Sequence, residues 1–161
     1  MTLTKIDHTF THQQLSYDAK PNYQPYIRIS FFFSKLDHVS YEQFHRHFET
    51  VHADLTVASK AFKDCHIGRY VQFHQTPELK EKAKELGLPQ LEYDGCSDLY
   101  VKSWDDWMKF CKSPEYTAVM NPDAIYFMAL PVYVMVGYDN LIFGEATPGI
   151  GSSAGVTAED L

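Results

Sequence analysis

Residues 27–74 read IRISFFFSKLDHVSYEQFHRHFETVHADLTVASKAFKDCHIGRYVQFH, and their periodicity decides the fold. At the start, Ile27, Ile29, Phe31 and Phe33 alternate with Arg28, Ser30 and Phe32, the period of a strand. Ser40-Tyr41-Glu42-Gln43 then forms a capping box, with Ser40 as cap and Gln43 at the third helical position. A helix follows to about residue 60, because Phe44, Phe48, Val51, Leu55, Ala58 and Phe62 recur every four and three residues. Next, Ile67, Arg69, Val71 and Phe73 alternate with Gly68, Tyr70, Gln72 and His74, a second strand. The stretch is a β-α-β unit.

Working outward, residues 78–86 predict a short charged helix closed by Gly87 and followed by Pro89. Tyr93-Asp94-Gly95 reads as a turn and residues 98–102 as a short strand. Ser103 caps a helix running to about Lys112, and Ser113-Pro114-Glu115-Tyr116 restarts it for a turn or two. Residues 130–138 predict the last strand. The order β-α-β-β-α-β specifies an α+β, ferredoxin-like fold: a four-stranded antiparallel sheet with helices on one face. The other face is left bare and apolar, and a two-fold homodimer, a dimeric α/β barrel, is the expected cover. Residues 1–24 read as an N-terminal arm, 25–144 as the domain and 145–161 as a flexible, Gly- and Ser-rich tail.

The 161 residues are 45% hydrophobic, with eleven Tyr and eleven Phe, so either a bulky core or an aromatic-walled cavity is expected. A formal charge of -7 disfavours nucleic acid and anionic membrane surfaces as partners. Apolar runs fall far short of the roughly 20 residues that span a bilayer. The N-terminus lacks a basic segment followed by an apolar core. Cys65, Cys96 and Cys111 are widely spaced and form no C-x-x-C pair, which fits free thiols and a cytoplasmic location.

Histidines carry most of the remaining chemistry. His45 and His47 have a metal-pair spacing, yet inside a helix their rings diverge by about 200°. No metal site and no cofactor are expected. On an α-helical wheel centred on Phe44, His52 lies about 80° to one side, near Tyr41, and His47 about 60° to the other. His52 thus flanks the seam that meets the sheet, either as a core-edge histidine or as a pocket group. His45 and His47 read as a solvated face. Tyr70, Gln72 and His74 share one face of the second strand. If that face meets the helix, imidazoles and phenols surround an apolar pocket and can move protons near neutral pH.

The segment from Ser40 to Leu55 resembles the first helix of EthD-domain proteins, with Glu49, His52 and Leu55 fitting the family pattern. Asp123 and Phe127 fit its second signature, although Ala124 stands where a glutamate is common. The resemblance covers roughly residues 26–140 and implies a dimeric α/β barrel. This His- and Tyr-rich version is most similar to fungal members encoded beside polyketide pathways. The implied function is a cofactor-independent lyase, a dehydratase or decarboxylase, acting on a polyketide-derived small molecule. Its expected catalytic groups are His52, Tyr70, Tyr41 and His74, and its expected substrate contacts are Phe48, Gln72, Asp123, Phe127 and Trp107. An isomerase or cyclase of a polyketide intermediate, or a non-catalytic binding protein, are the alternatives.

Overall fold

The computed structural model describes residues 4–157. The chain divides into two compact units, residues 26–137 and the two end segments that flank them. In the central unit β1 (Ile27–Lys35), β2 (Ile67–His74), β3 (Gly95–Val101) and β4 (Met128–Gly137) form one sheet in the order β2-β3-β1-β4. Every neighbouring pair is antiparallel. Two β-α-β halves interleaved in this way make a ferredoxin-like α+β fold.

The first helical stretch opens as its sequence dictates. Ser40 Oγ accepts from the Gln43 backbone N–H, and the Gln43 side chain accepts from the Ser40 N–H. It comprises α1 (Tyr41–His47), a π-helical segment (Phe48–His52), α2 (Ala53–Ala58) and α3 (Lys60–Asp64). After β2 comes the short α4 (Pro77–Ala83). Gly87, with φ +64°, closes its 3-10 extension in the left-handed region that glycine tolerates. The second stretch is α5 (Trp104–Cys111), a second π segment (Tyr116–Met120) and α6 (Asn121–Phe127).

Strand alternation sends Ile29, Phe31 and Phe33 toward the helices. Phe33 meets Phe44, Phe48 and Phe127 at centroid distances of 5.1–6.3 Å, and all four rings are buried. Ile29, Leu99, Val101, Trp107 and Phe110 form a second cluster. The opposite face holds a different set. Arg28 grips Asp98 through Nε and Nη2 at 3.0 and 2.8 Å, Ser30 donates to the same carboxylate, and Phe73, Tyr133 and Met135 are each more than half exposed.

Three boundaries differ from the sequence reading. The third strand begins at Gly95 rather than 98, because the Tyr93-Asp94-Gly95 stretch already enters the ladder opposite Phe33. The restarted helix runs to Phe127, not for one or two turns. Pro122 lies inside it, directly after the π segment. A proline has no N–H for the preceding turn and its ring crowds a carbonyl there, which a widened turn accommodates. The last strand accordingly begins at Met128.

In the end-segment unit, Asn22 Nδ2 donates to the Leu141 and Ala154 carbonyls, and the Gln24 N–H to that of Asp139. Residues 22–24 and 139–156 thus hydrogen-bond one another.

At Gly95 the sheet packs closely against the aromatic rings of the first helix. A Cβ there would lie 3.2–3.3 Å from the rings of Phe33, Phe48 and Phe44. Gly95→Ala is expected to cost about 1–3 kcal/mol by overpacking, read as a lower urea midpoint. An unchanged midpoint would show that the aromatic cluster is looser than described.

Candidate active site

The site is built around one carboxylate. Asp123, on the first turn of α6, accepts from His52 Nδ1 and from His47 Nε2, both at 2.7 Å. Its side chain is 6% exposed. Burial pushes the Asp123 carboxyl up, but the hydrogen bonds from His52 and His47 outweigh it and hold the group below its ordinary value. A carboxylate only accepts, so His52 carries its proton on Nδ1 and His47 on Nε2. In the neutral form of the ring the lone pair is then on Nε2, which no described group bonds, and His52 is among the residues lining a cavity.

This convergence corrects the sequence reading of His47 as part of a solvated face. Five residues of α-helix turn through about 500°, leaving His47 and His52 about 140° apart. The π segment between them is bonded i→i+5 and turns through less per residue, so the two side chains come to one side, where both reach Asp123. Periodicity gives no warning of that extra residue per turn.

The cavity has a volume of about 330 Å³, enough for a small ligand. Phe31, Leu99, Trp107, Phe110, Met120 and Val132 supply much of its apolar wall. Its polar groups are His52, Thr56, Ser97 and Tyr116, with Asn121 also lining it. Thr56, Ser97, Tyr116 and Asn121 were not singled out from sequence. Helical spacing marks Thr56 only as one turn beyond His52, where it donates back to the His52 carbonyl at 2.7 Å.

Of the residues expected to act, His52 and Trp107 line the cavity. Phe48 and Phe127 do not. They are buried in the aromatic cluster, with Phe127 5.2 Å from the His52 ring, centroid to centroid. Asp123 stands behind His52 rather than against a ligand. Tyr41 stacks on His45 at 6.3 Å, beneath Lys35 and Lys80, away from the cavity.

The polar face of β2 meets the helix, and its side chains form one chain of hydrogen bonds. Gln72 Nε2 donates to the Phe48 carbonyl at 2.7 Å and to Tyr70 Oη at 2.8 Å. The Phe48 carbonyl can only accept, so Gln72 Oε1 is the acceptor facing His74 Nε2 at 3.2 Å. With both rings neutral, His74 Nδ1 then accepts from His45 Nδ1 at 2.9 Å, and His45 is no solvated residue. Its Nε2 is the one buried side-chain nitrogen or oxygen without a partner among the described residues. At the other end, Tyr70 has spent an acceptor position and keeps its proton to donate. Burial pushes its phenol up, against hydrogen bonds with Gln72, Ser97 and Thr56. Gln72 and His74 thus stand behind Tyr70, and Tyr70 behind two hydroxyls of the cavity wall.

Nucleophilic thiol chemistry is poorly served. Burial and the Asp98 charge push Cys96 up to about 12, and burial pushes Cys111 up to about 11. Among the described residues no group of three or more His, Cys, Asp or Glu is placed to hold a metal ion.

Burial lowers both His45 and His74 from 6.5, and in His45 the neighbouring His74 adds to the effect. Asp94, Glu49 and Lys80 also face His45, the carboxylates raising and the ammonium lowering it. A base with a depressed folded value binds fewer protons folded than unfolded, so its stability is complete above about 6.5 and is lost as pH falls toward that lower value. Thermal unfolding temperatures are therefore expected to drop as pH is lowered from 7 to 5. His45→Phe should shrink that drop, and an equal drop in the variant would assign it elsewhere.

A family profile described as the EthD domain matches residues 36–131. No curated protein matches the chain. Among solved structures it is similar to a dabb family protein with a ferredoxin-like fold from Mesorhizobium loti, at 12% identity and a TM-score of 0.51, covering 70% of this chain and 94% of that one. It is also similar to an ethyl tert-butyl ether d (ethd) family protein from Bacillus halodurans, at 13% identity and a TM-score of 0.50, covering 71% and 98%. At such identities the likeness is one of fold. The profile spans more than half the chain, including both helices that build the His47–Asp123–His52 unit, and the chain belongs to the EthD domain family.

Proposed function

We propose that this chain is a cofactor-independent lyase that removes water or carbon dioxide from a polyketide-derived small molecule, with His52 as the proton-transfer group. The observation that carries this reading is the His52 ring. Asp123 fixes its Nδ1, which leaves Nε2 as the nitrogen free to exchange a proton, and His52 lines a largely apolar cavity. A base so held takes a proton from carbon next to a carbonyl without reorienting. The enolate oxygen that develops is met by the Ser97 hydroxyl, with Tyr70 behind it as a proton donor. In dehydration His52 then returns that proton to the departing hydroxyl; in decarboxylation the C–C bond to the carboxylate breaks instead, its electron pair forms the enolate, and His52, entering in its protonated form, supplies the proton to the product carbon.

Phe73, Tyr133 and Met135 on the open sheet face support a two-fold homodimer of the barrel type. Three free cysteines suit a reducing cytoplasmic setting. No helix among the described residues is long and apolar enough to cross a membrane.

The test is incubation of the purified protein with a panel of aromatic β-hydroxy ketones and β-keto acids, with loss of water or carbon dioxide followed by mass spectrometry. His52→Ala is expected to lower turnover by about 10²–10⁴-fold, the usual contribution of a positioned acid-base group, with an unchanged far-UV circular dichroism spectrum. Full activity in the folded variant would refute the assignment. Tight binding with no turnover of any panel member would instead identify a carrier.

A further inference from the structure

The cavity beside His52 offers hydroxyls and an imidazole but no cation. Among the described residues that line it, none is Lys or Arg. Three basic side chains of the sheet and helices are matched to carboxylates elsewhere. Lys80 pairs with Asp94 at 2.6 Å, Arg28 with Asp98 at 2.8 Å, and Arg46 with Glu49 at 3.1 Å. The nearest full charge behind the wall is negative, the Asp123 carboxylate 2.7 Å from His52 Nδ1. Should His52 take up a proton, Asp123 balances that one charge, and a second anion in the cavity is again surplus. An ionised carboxylate placed there would lose its hydration and gain no counter-charge. A ketone or alcohol oxygen needs only a hydroxyl donor such as Ser97 presents, the Thr56 proton being committed to the His52 carbonyl.

We propose that the site selects neutral, oxygenated, apolar ligands, of the aromatic ketone and alcohol class, and discriminates against the same skeleton bearing an ionised carboxylate. The inference rests on the His52 cavity being the substrate site, and it chooses between the two lyase reactions. Dehydration starts from a neutral β-hydroxy ketone. His52 Nε2 removes the proton next to the carbonyl, and the C–H electron pair becomes the new C=C bond as the C–O bond breaks. The same proton then leaves with the hydroxyl as water, so atoms and charge balance within the site. Decarboxylation must first admit a carboxylate that the wall does not compensate.

The test compares 2-acetylnaphthalene with 2-naphthoate, which share a ring system and differ in the end group. Calorimetric titration at pH 8 gives affinities, and the indole NMR signal of Trp107, a lining residue, locates the ligand. The neutral ketone is expected to bind at least tenfold more tightly than the carboxylate and to shift the Trp107 signal. Asp123→Asn, which removes the negative charge behind the wall, is expected to narrow that ratio. Equal or tighter binding of 2-naphthoate at the Trp107 site overturns the neutral-ligand proposal while leaving the cavity as the site. An unchanged ratio in the Asp123→Asn protein overturns its electrostatic cause. Failure of both ligands to bind or to move Trp107 overturns the cavity reading itself, and the proposal with it.

Discussion

Two imidazoles donating to one buried carboxylate is the constraint on which the rest of the site depends. Asp123 can only accept, so each ring that reaches it must present an N–H, and the tautomers of His47 and His52 follow without further choice. Removing the carboxylate would leave two ring nitrogens to find other partners in a half-dry seam. Its presence gives His52 a defined orientation and an open Nε2, the state a general base needs.

That constraint is met because two helices are wound off the α period in the right places. The π segment Phe48–His52 brings His47 and His52 onto one side, and the π segment Tyr116–Met120 leads directly into the turn carrying Asp123. Such widened turns are often found at functional sites. They are anchored on a stiff base. Phe33 packs edge to face on Phe44, Phe48 and Phe127 beneath the histidines, and the Glu115 carboxylate accepts from the Lys60 and Ala61 N–H groups to tie the two helical stretches together. Rings that lack room to rotate hold the dyad better than loops could. The chain of hydrogen bonds from His45 through His74 and Gln72 to Tyr70 does the same for the opposite wall, passing a fixed donor direction toward Ser97 and Thr56.

The fold was legible in residues 27–74 because a strand of period two, a capped helix and a second strand of period two leave few alternatives. The capping box at Ser40 and the alternation in β1 and β2 are local signals, and the structure keeps them. The position of His52 on the sheet-facing side of its helix was legible for the same reason, and the resemblance added Asp123. What periodicity could not show was anything that depends on an extra residue in a turn. The wheel put His47 and His52 about 140° apart, whereas the π segment makes them partners. It also put His45 in solvent, although a polar strand face opposite gave it His74 as a partner. Phe48 and Phe127 illustrate a second limit, since an aromatic on the buried stripe reads alike whether it walls a cavity or fills a core. Thr56 and Ser97 were missed because a lone hydroxyl carries no spacing signal and gains meaning only from the hollow it borders.

The tautomer of His52 tests the central claim most directly. Long-range ¹⁵N–¹H NMR of histidine-labelled protein at neutral pH distinguishes the two ring nitrogens by chemical shift. The expected spectrum has His52 protonated at Nδ1 with an unprotonated Nε2, and Asp123→Asn abolishes that preference. A His52 ring protonated at Nε2, or one exchanging freely between tautomers in the unaltered protein, would contradict the carboxylate-held base and the chemistry built on it.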